Sequence, residues 1–337
     1  MNKKNKIIII SIIFLLILAG LFYFRAQVYY SQGNSSASQS FEIKKGEGNA
    51  EIAERLKAEN LISGKIYFYY YLRSHGFQNK IMPGVYSLSG NMKIPEIVSV
   101  IINSESQFIK ITFPEGFTMK QMAEKLNSNG LSGDEFLKIA NTPGELKKRY
   151  SYLTPDSVKT LEGYLFPDTY FFKKDISAEN IVGRMLDTFD GKLNDQMQKD
   201  ILKQNKSIND VIIMASIVER EVQTLEDMKI ASGIFWKRIA SGQRLQSDAP
   251  LSYILGDTND QHSGKDLELN SPYNTYRFSG LPPAPISNPG INAINSAIYP
   301  ENSNYNFFLT ASVNGEKKVI YSKTFQEHVA NKQKYGL

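Results

Sequence analysis

The chain contains no cysteine, only three histidines and one tryptophan among 337 residues. The missing cysteine excludes disulfides, thiolate metal sites and cysteine nucleophiles. His75, His262 and His328 are far apart in sequence and no HExxH pattern occurs, so no metal site is expected. Phosphate loops are missing too: Gly46-Glu47-Gly48 lacks a third glycine, and no GxxxxGK[ST] is present. No GxSxG nucleophile elbow occurs, which removes the usual serine hydrolase signature. A strong imbalance of charge is missing: 39 basic and 34 acidic residues leave a net +5 spread along the chain, which argues against nucleic acid as a partner.

What is present is a foldable chain, 42% hydrophobic and 22% charged, with length for about two domains. Its N-terminus is the clearest segment. Asn2-Lys3-Lys4-Asn5-Lys6 precedes an uncharged apolar run from Ile7 to Phe24, broken only by Ser11. Eighteen helical residues reach about 27 Å, close to the thickness of a bilayer's hydrocarbon core. Ala19-Gly20 is a poor cleavage site because Leu21-Phe22-Tyr23-Phe24 continues the run. Residues 7–24 are therefore expected to span the cytoplasmic (inner) membrane once. Residues 1–6 form a cytoplasmic tail, because the lysines favour that side. Tyr23, Phe24, Tyr29 and Tyr30 are candidates for an interfacial aromatic belt.

Residues 25–40 read as a linker, polar and flexible over Ser31 to Ser40. A small domain follows over 41–106, with strand, helix, helix and strand signals that give it a LysM-like flavour. The run Tyr67 to Tyr71 could stack on sugars, but five consecutive aromatics point all round a helix and are expected mostly in the core. The opening pattern recurs seventy residues on. Phe41, Ile43, Gly46, Ile52, Ala53, Glu54, Leu56 and Leu61 match Ile111, Phe113, Gly116, Met122, Ala123, Glu124, Leu126 and Leu131. The remainder, 107–337, is expected to be an α+β domain. Asp175 to Lys199 reads as helical, Ser207 can cap a helix running to Glu221, and Asn314-Gly315 signals a hairpin.

Chemistry falls to carboxylates. Glu219 closes the apolar run Ile213 to Val218, and a carboxylic acid in an apolar pocket is the group that protonates a glycosidic oxygen. The alternative is a helix-end acid paired with Arg220 or Arg238. Hydrolytic glycosidases need a second carboxylate; Glu162, Asp168, Glu221 and Asp248 are candidates, and none is placed by local spacing. Pro272, Pro282, Pro283, Pro285 and Pro289 stiffen a block that holds Tyr273, Asn274, Thr275 and Tyr276, side chains suited to sugar rings. That block reads equally as a rigid structural loop. Gln246-Ser247-Asp248 follows a helix end and either caps structure or lines a cleft.

At these residues the sequence resembles the MltG (YceG-like) family of endolytic murein transglycosylases. The matching blocks are Glu162-Gly-Tyr164-Leu-Phe-Pro-Asp168-Thr-Tyr170, Ala215 to Glu219 with Glu221, Leu245 to Asp248, Ser271 to Tyr276, Gly280 to Pro283 and Asn288-Pro-Gly290. The resemblance implies that Glu219 is the catalytic acid/base. It also implies cleavage between N-acetylmuramic acid and N-acetylglucosamine in nascent peptidoglycan, with the muramyl 6-hydroxyl as internal nucleophile and a 1,6-anhydro end as product. No metal or other cofactor is then needed. Carried over as cleft residues are Glu162, Tyr164, Asp168, Gln246, Ser247, Asp248, Tyr273, Asn274, Thr275 and Tyr276. Implied partners are glycan strands, the membrane and neighbouring peptidoglycan synthases. The sequence departs from the family at Ala249-Pro250-Leu251 and at Val319 to Ser322, while Thr324 and Glu327-His328 match. Two rival readings stay open. One is a hydrolytic muramidase that uses Asp248 or Glu162; the other is a glycan-binding scaffold that holds a synthase.

Overall fold

The computed structural model describes residues 3–30, 36–103, 108–257, 262–313 and 315–336, with side chains from Ile9 onward. Residues 1–2 of the expected tail, 31–35 of the expected linker, 104–106 at the expected domain end and Asn314 of the expected hairpin turn lie outside them. In chain order the elements are α1 (Lys3–Tyr29), β1 (Ser38–Ile43), α2 (Asn49–Ala58), α3 (Lys65–Ser74), β2 (Gly84–Ser89), α4 (Ile94–Asn103), β3 (Phe108–Thr112), α5 (Met119–Ser128), α6 (Gly133–Asn141), β4 (Thr169–Lys173) and α7 (Ala178–Lys192). There follow α8 (Asp195–Lys203), α9 (Ile208–Glu221), α10 (Leu225–Ala240), α11 (Ala249–Leu255), α12 (Gly264–Leu267), α13 (Ile291–Ile298), β5 (Phe307–Val313), β6 (Glu316–Ser322) and α14 (Phe325–Tyr335). The fold is α+β, with a four-stranded sheet in the order β1-β2-β3-β4 and a separate β5-β6 hairpin.

Two compact units result. The first comprises 1–110 with 171–174, the second 111–170 with 175–337. In the first, β1 and β2 pair antiparallel with Phe41 opposite Tyr86, and α2, α3 and α4 close over them. Phe41, Ile52, Leu56, Phe68, Leu72, Tyr86 and Ile97 form its core. Of the aromatic run expected to be mostly core, only Phe68 is fully buried. Tyr67 and Tyr71 are half-buried, and Tyr69 and Tyr70 are exposed. The physical reason is the spacing: a helix with its core on one side buries Phe68 and Leu72 together, four residues apart, and turns the rest outward. α1 is exposed along its apolar length; Ile9–Tyr29 is long and apolar enough to cross a membrane.

The repeated pattern is structural in both copies. Gly46 and Gly116 turn the chain at φ +83° and +78°. Each turn leads into a helix, α2 or α5, that buries Ile52, Ala53 and Leu56 or Met122, Ala123 and Leu126. Each helix ends in the same backbone bond, Leu61 N–H to Leu56 O at 2.9 Å and Leu131 N–H to Leu126 O at 3.0 Å. Downstream, the helix expected over 175–199 is divided. Asn194 caps a second helix by accepting the Met197 N–H at 3.0 Å, so the chain breaks into α7 and α8.

Candidate functional site

α9 organises the site. Ser207 and Asp210 make a reciprocal capping box at its start, each accepting the other's backbone N–H at 3.0 Å. Residues from Val211 to Val218 are all buried, so the helix is enclosed by α8, α10, α11 and α13 until its last turn. Ser216, in its middle, accepts the Ile286 N–H at 3.1 Å, and its own carbonyl accepts the Ser287 hydroxyl at 3.2 Å. These bonds lay the proline-rich block along α9 and bring Gly290 to Glu219. The N–H of Gly290 donates to Glu219 Oε2 at 2.9 Å.

Glu219 emerges half-buried where the enclosed helix ends. Burial is the main cause that raises its pKa to about 7. The Gly290 N–H opposes that rise, and the charge of Glu115 adds to it. Among the described residues, Glu219 is not paired with either arginine of the alternative reading. Arg220 reaches the Gly116 carbonyl at 3.4 Å, and Arg238 donates to the Leu245 and Asn306 carbonyls. Glu219 is thus a carboxyl that holds a proton near neutrality, with one backbone donor to its conjugate base.

Two residues on, Glu221 belongs to a different cluster. It accepts the Ser247 hydroxyl and the Ala249 amide, and burial raises its pKa to about 7. Thr275 locks Ser247 from both sides, with Ser247 N–H to Thr275 Oγ1 at 3.0 Å and Thr275 Oγ1 to Ser247 O at 2.8 Å. The Tyr276 hydroxyl donates to Asp248 at 2.9 Å. Gln246 is exposed in the left-handed region at φ +53° and gives its N–H to the Thr275 carbonyl. Asn274 is buried and ties the loop to the Leu267 and Leu269 carbonyls. Gln246, Ser247, Asp248, Thr275 and Tyr276 are therefore brought together beside Glu221. Among them Ser247 and Thr275 are buried in the framework, as is Asn274.

Four other sequence candidates lie elsewhere. Tyr164 is fully buried, stacked against Tyr152 and bonded to Asn209 at 2.9 Å. Asp168 is exposed in the turn before β4 and accepts the Thr169 N–H. Glu162 is 2% exposed and accepts the Met119 N–H at the start of α5, the Asn288 amide at 2.8 Å and the Tyr253 hydroxyl at 3.4 Å. Burial raises its pKa to about 8. Tyr273 packs against Tyr253, with centroids 5.7 Å apart.

The organising residue that sequence reasoning left without a role is Asn288. Its Oδ1 accepts the Gly163 and Leu165 N–H groups, both at 2.9 Å, and its Nδ2 donates to Glu162 and to the Phe117 carbonyl. Its backbone pairs with Phe117 and Gly116. One residue thus joins the turn at 116, the turn at 163 and the irregular segment that carries Gly290 into α13. Glu115 was also missed. A signal existed: the second copy of the repeat has an acid before its turn glycine where the first copy has Lys45.

A family model described as the YceG-like family matches residues 41–334. A Bacillus subtilis protein named endolytic murein transglycosylase is 31% identical over 95% of this chain and 91% of its own length. A Streptococcus pneumoniae protein of the same name is 28% identical over 98% of this chain and 65% of its own. A crystal structure of a YceG-like protein from Listeria monocytogenes matches with a TM-score of 0.60 and 32% identity, covering 88% of this chain and 100% of that one. The chain belongs to the YceG-like family.

Proposed function

We propose that this chain is an endolytic lytic transglycosylase that cleaves peptidoglycan glycan strands between N-acetylmuramic acid and N-acetylglucosamine. The observation that carries the reading is Glu219: a carboxyl at the end of a buried helix, raised to a pKa of about 7 and held by one backbone N–H. The names of the relatives support the same activity. In this mechanism Glu219 gives its proton to the bridging oxygen as the bond from the muramyl anomeric carbon breaks. The Gly290 N–H then steadies the carboxylate. That carboxylate takes the proton of the muramyl 6-hydroxyl as its oxygen bonds to the anomeric carbon. No water is consumed, the proton returns to Glu219, and the product ends in a 1,6-anhydro ring. Ring closure is intramolecular and gains from proximity.

Gln246, Asp248 and Tyr276, gathered beside Glu221, and Tyr273 are proposed to bind the glycan, with Ser247, Asn274 and Thr275 as their support. α1 anchors the chain in the cytoplasmic membrane with its N-terminus inside, which suits action on strands still emerging beside synthases. The first unit is read as the LysM-like glycan-binding module.

A hydrolytic second reading rests on a different observation: Glu115, an exposed carboxylate, approaches the same Gly290. Mass spectrometry of purified peptidoglycan digested by wild type and by Glu219→Gln separates the readings. Anhydro-muramyl products from wild type alone support the transglycosylase. Reducing-end products would make it a hydrolase, and Glu115→Gln would then test Glu115 as the second acid. Equal products from both proteins would remove Glu219 from the reaction.

A further inference from the structure

The first unit carries an exposed apolar face that its core does not use. On α3, Ile66, Tyr69, Tyr70 and Arg73 fall at i, i+3, i+4 and i+7 and form one stripe. All four are exposed, Ile66 by 62% and Tyr70 by 48%. The opposite stripe, Phe68 and Leu72, carries the burial. A helix with its core on one side ordinarily turns charged and polar residues outward. Here the outward stripe is apolar and aromatic.

Its neighbour explains what it faces. Val28 is fully buried where α1 meets α3 and α4. The Phe24 ring stands edge-on to Tyr67 at 5.1 Å and to Tyr70 at 5.0 Å, and Tyr29 meets Tyr71 at 6.1 Å. The exposed apolar surface of α1 therefore continues through Phe24 onto Tyr70. Arg25 lies over the Tyr29 ring at 5.1 Å, and Arg73 closes the α3 stripe. Tyrosines with apolar bodies and polar tips, bordered by arginine, match the chemistry of the membrane–water interface.

We propose that the Ile66–Tyr69–Tyr70–Arg73 face of α3 lies in the headgroup layer of the bilayer that α1 spans, so that the first unit rests on the lipid surface. This rests on the reading of α1 as a membrane anchor. Lipid is the favoured occupant because the face is continuous with a surface that a spanning α1 presents to lipid.

The absence of cysteine makes a direct test available. Single substitutions Ile66→Cys, Tyr70→Cys, Phe22→Cys and Lys57→Cys in the full chain are labelled with an environment-sensitive fluorophore. The proteins are reconstituted in phosphatidylglycerol–phosphatidylethanolamine vesicles that carry shallow or deep spin-labelled lipids. The expected result is blue-shifted emission at positions 66 and 70, quenched more by the shallow than by the deep label. Position 22, two residues into the span from Phe24, is quenched by both labels and more by the deep label than 66 and 70 are, and position 57, exposed on α2, is not quenched. If 66 and 70 behave like 57 while 22 is quenched, the face is not in lipid and the proposal falls although the anchor stands. A blue shift without lipid quenching would put protein on the face and overturns it too. Loss of quenching at 22 removes the anchor reading itself.

Discussion

Glu115 fills the space that a side chain at Gly290 would need. A methyl group there would lie 1.8 Å from Glu115 Oε1 and 2.1 Å from its carboxyl carbon. The same Gly290 gives its N–H to Glu219 Oε2 at 2.9 Å. Two carboxyl groups therefore converge on one residue, one against its α-carbon and one on its amide.

Gly290→Ala tests that convergence. Gly290 has φ −77°, which any residue accepts, so no backbone strain is expected. The obstructing atoms are the exposed end of a flexible side chain, which can swing away. Stability should fall by no more than about 1 kcal/mol. Turnover near neutral pH should fall by a few-fold, because Glu115, whose charge helps Glu219 keep its proton, is pushed aside. Thermal melting beside a glycan-cleavage assay reads both; a large loss of stability with full specific activity in the folded fraction would contradict it.

Glu115→Gln should change the pH profile of kcat/KM. Glu219 must be protonated to act as an acid, so activity is present below its pKa of about 7 and lost above it. The charge of Glu115 helps hold that proton. Removing the charge lowers the pKa of Glu219, and the alkaline limb should move to lower pH. A limb that stays in place would show that burial alone sets the proton affinity. Complete loss of cleavage at every pH would instead give Glu115 a direct part in the reaction.

Local pattern exposed much of this architecture. The duplicated strand, glycine turn and helix were legible because Gly46 and Gly116 occupy positive φ and each helix buries the same i, i+1, i+4 positions. Ser207 was legible as a cap because a hydroxyl before an apolar run has one economical use. Glu219 stood out because a carboxyl at the end of such a run is costly unless it has a task. The joining of segments was not legible. Nothing local tells that Asn288 bonds to Gly163, 125 positions away, or that Glu162 is taken up by the first amide of α5. Tyr164 shows the same limit: in sequence it sits among cleft candidates, while tertiary packing places it between Tyr152 and Phe189.

Asn288→Ala should be among the most destabilising single changes in the second unit. It orphans the buried N–H groups of Gly163 and Leu165 and removes a donor from Glu162. Each unsatisfied buried group costs about 1–3 kcal/mol, so a loss of several kcal/mol is expected. Urea denaturation measures it. A loss below about 1 kcal/mol would mean that water or a shifted turn replaces the amide.

Glu162 gives the second unit a pH dependence of stability that its substitution should remove. Burial raises its pKa in the fold to about 8, above the ordinary value near 4.5 that it has when unfolded. Between those values the folded chain keeps a proton that the unfolded chain has released. Stability from this group is therefore fully present below about pH 4.5 and declines as pH rises toward 8. Glutamine at this position can accept the Met119 and Asn288 N–H groups through its oxygen and offer its own N–H to the Tyr253 hydroxyl. Glu162→Gln should then match wild type in mildly acid solution and exceed it at pH 8–9, by an amount of the order of a few kcal/mol. Denaturation series at several pH values decide the matter. If the substitution destabilises equally at every pH, the carboxylate rather than the acid is the form the fold holds. Glu162 would then be a charged cap on α5, with Met119 N–H and Asn288 stabilising the anion against burial.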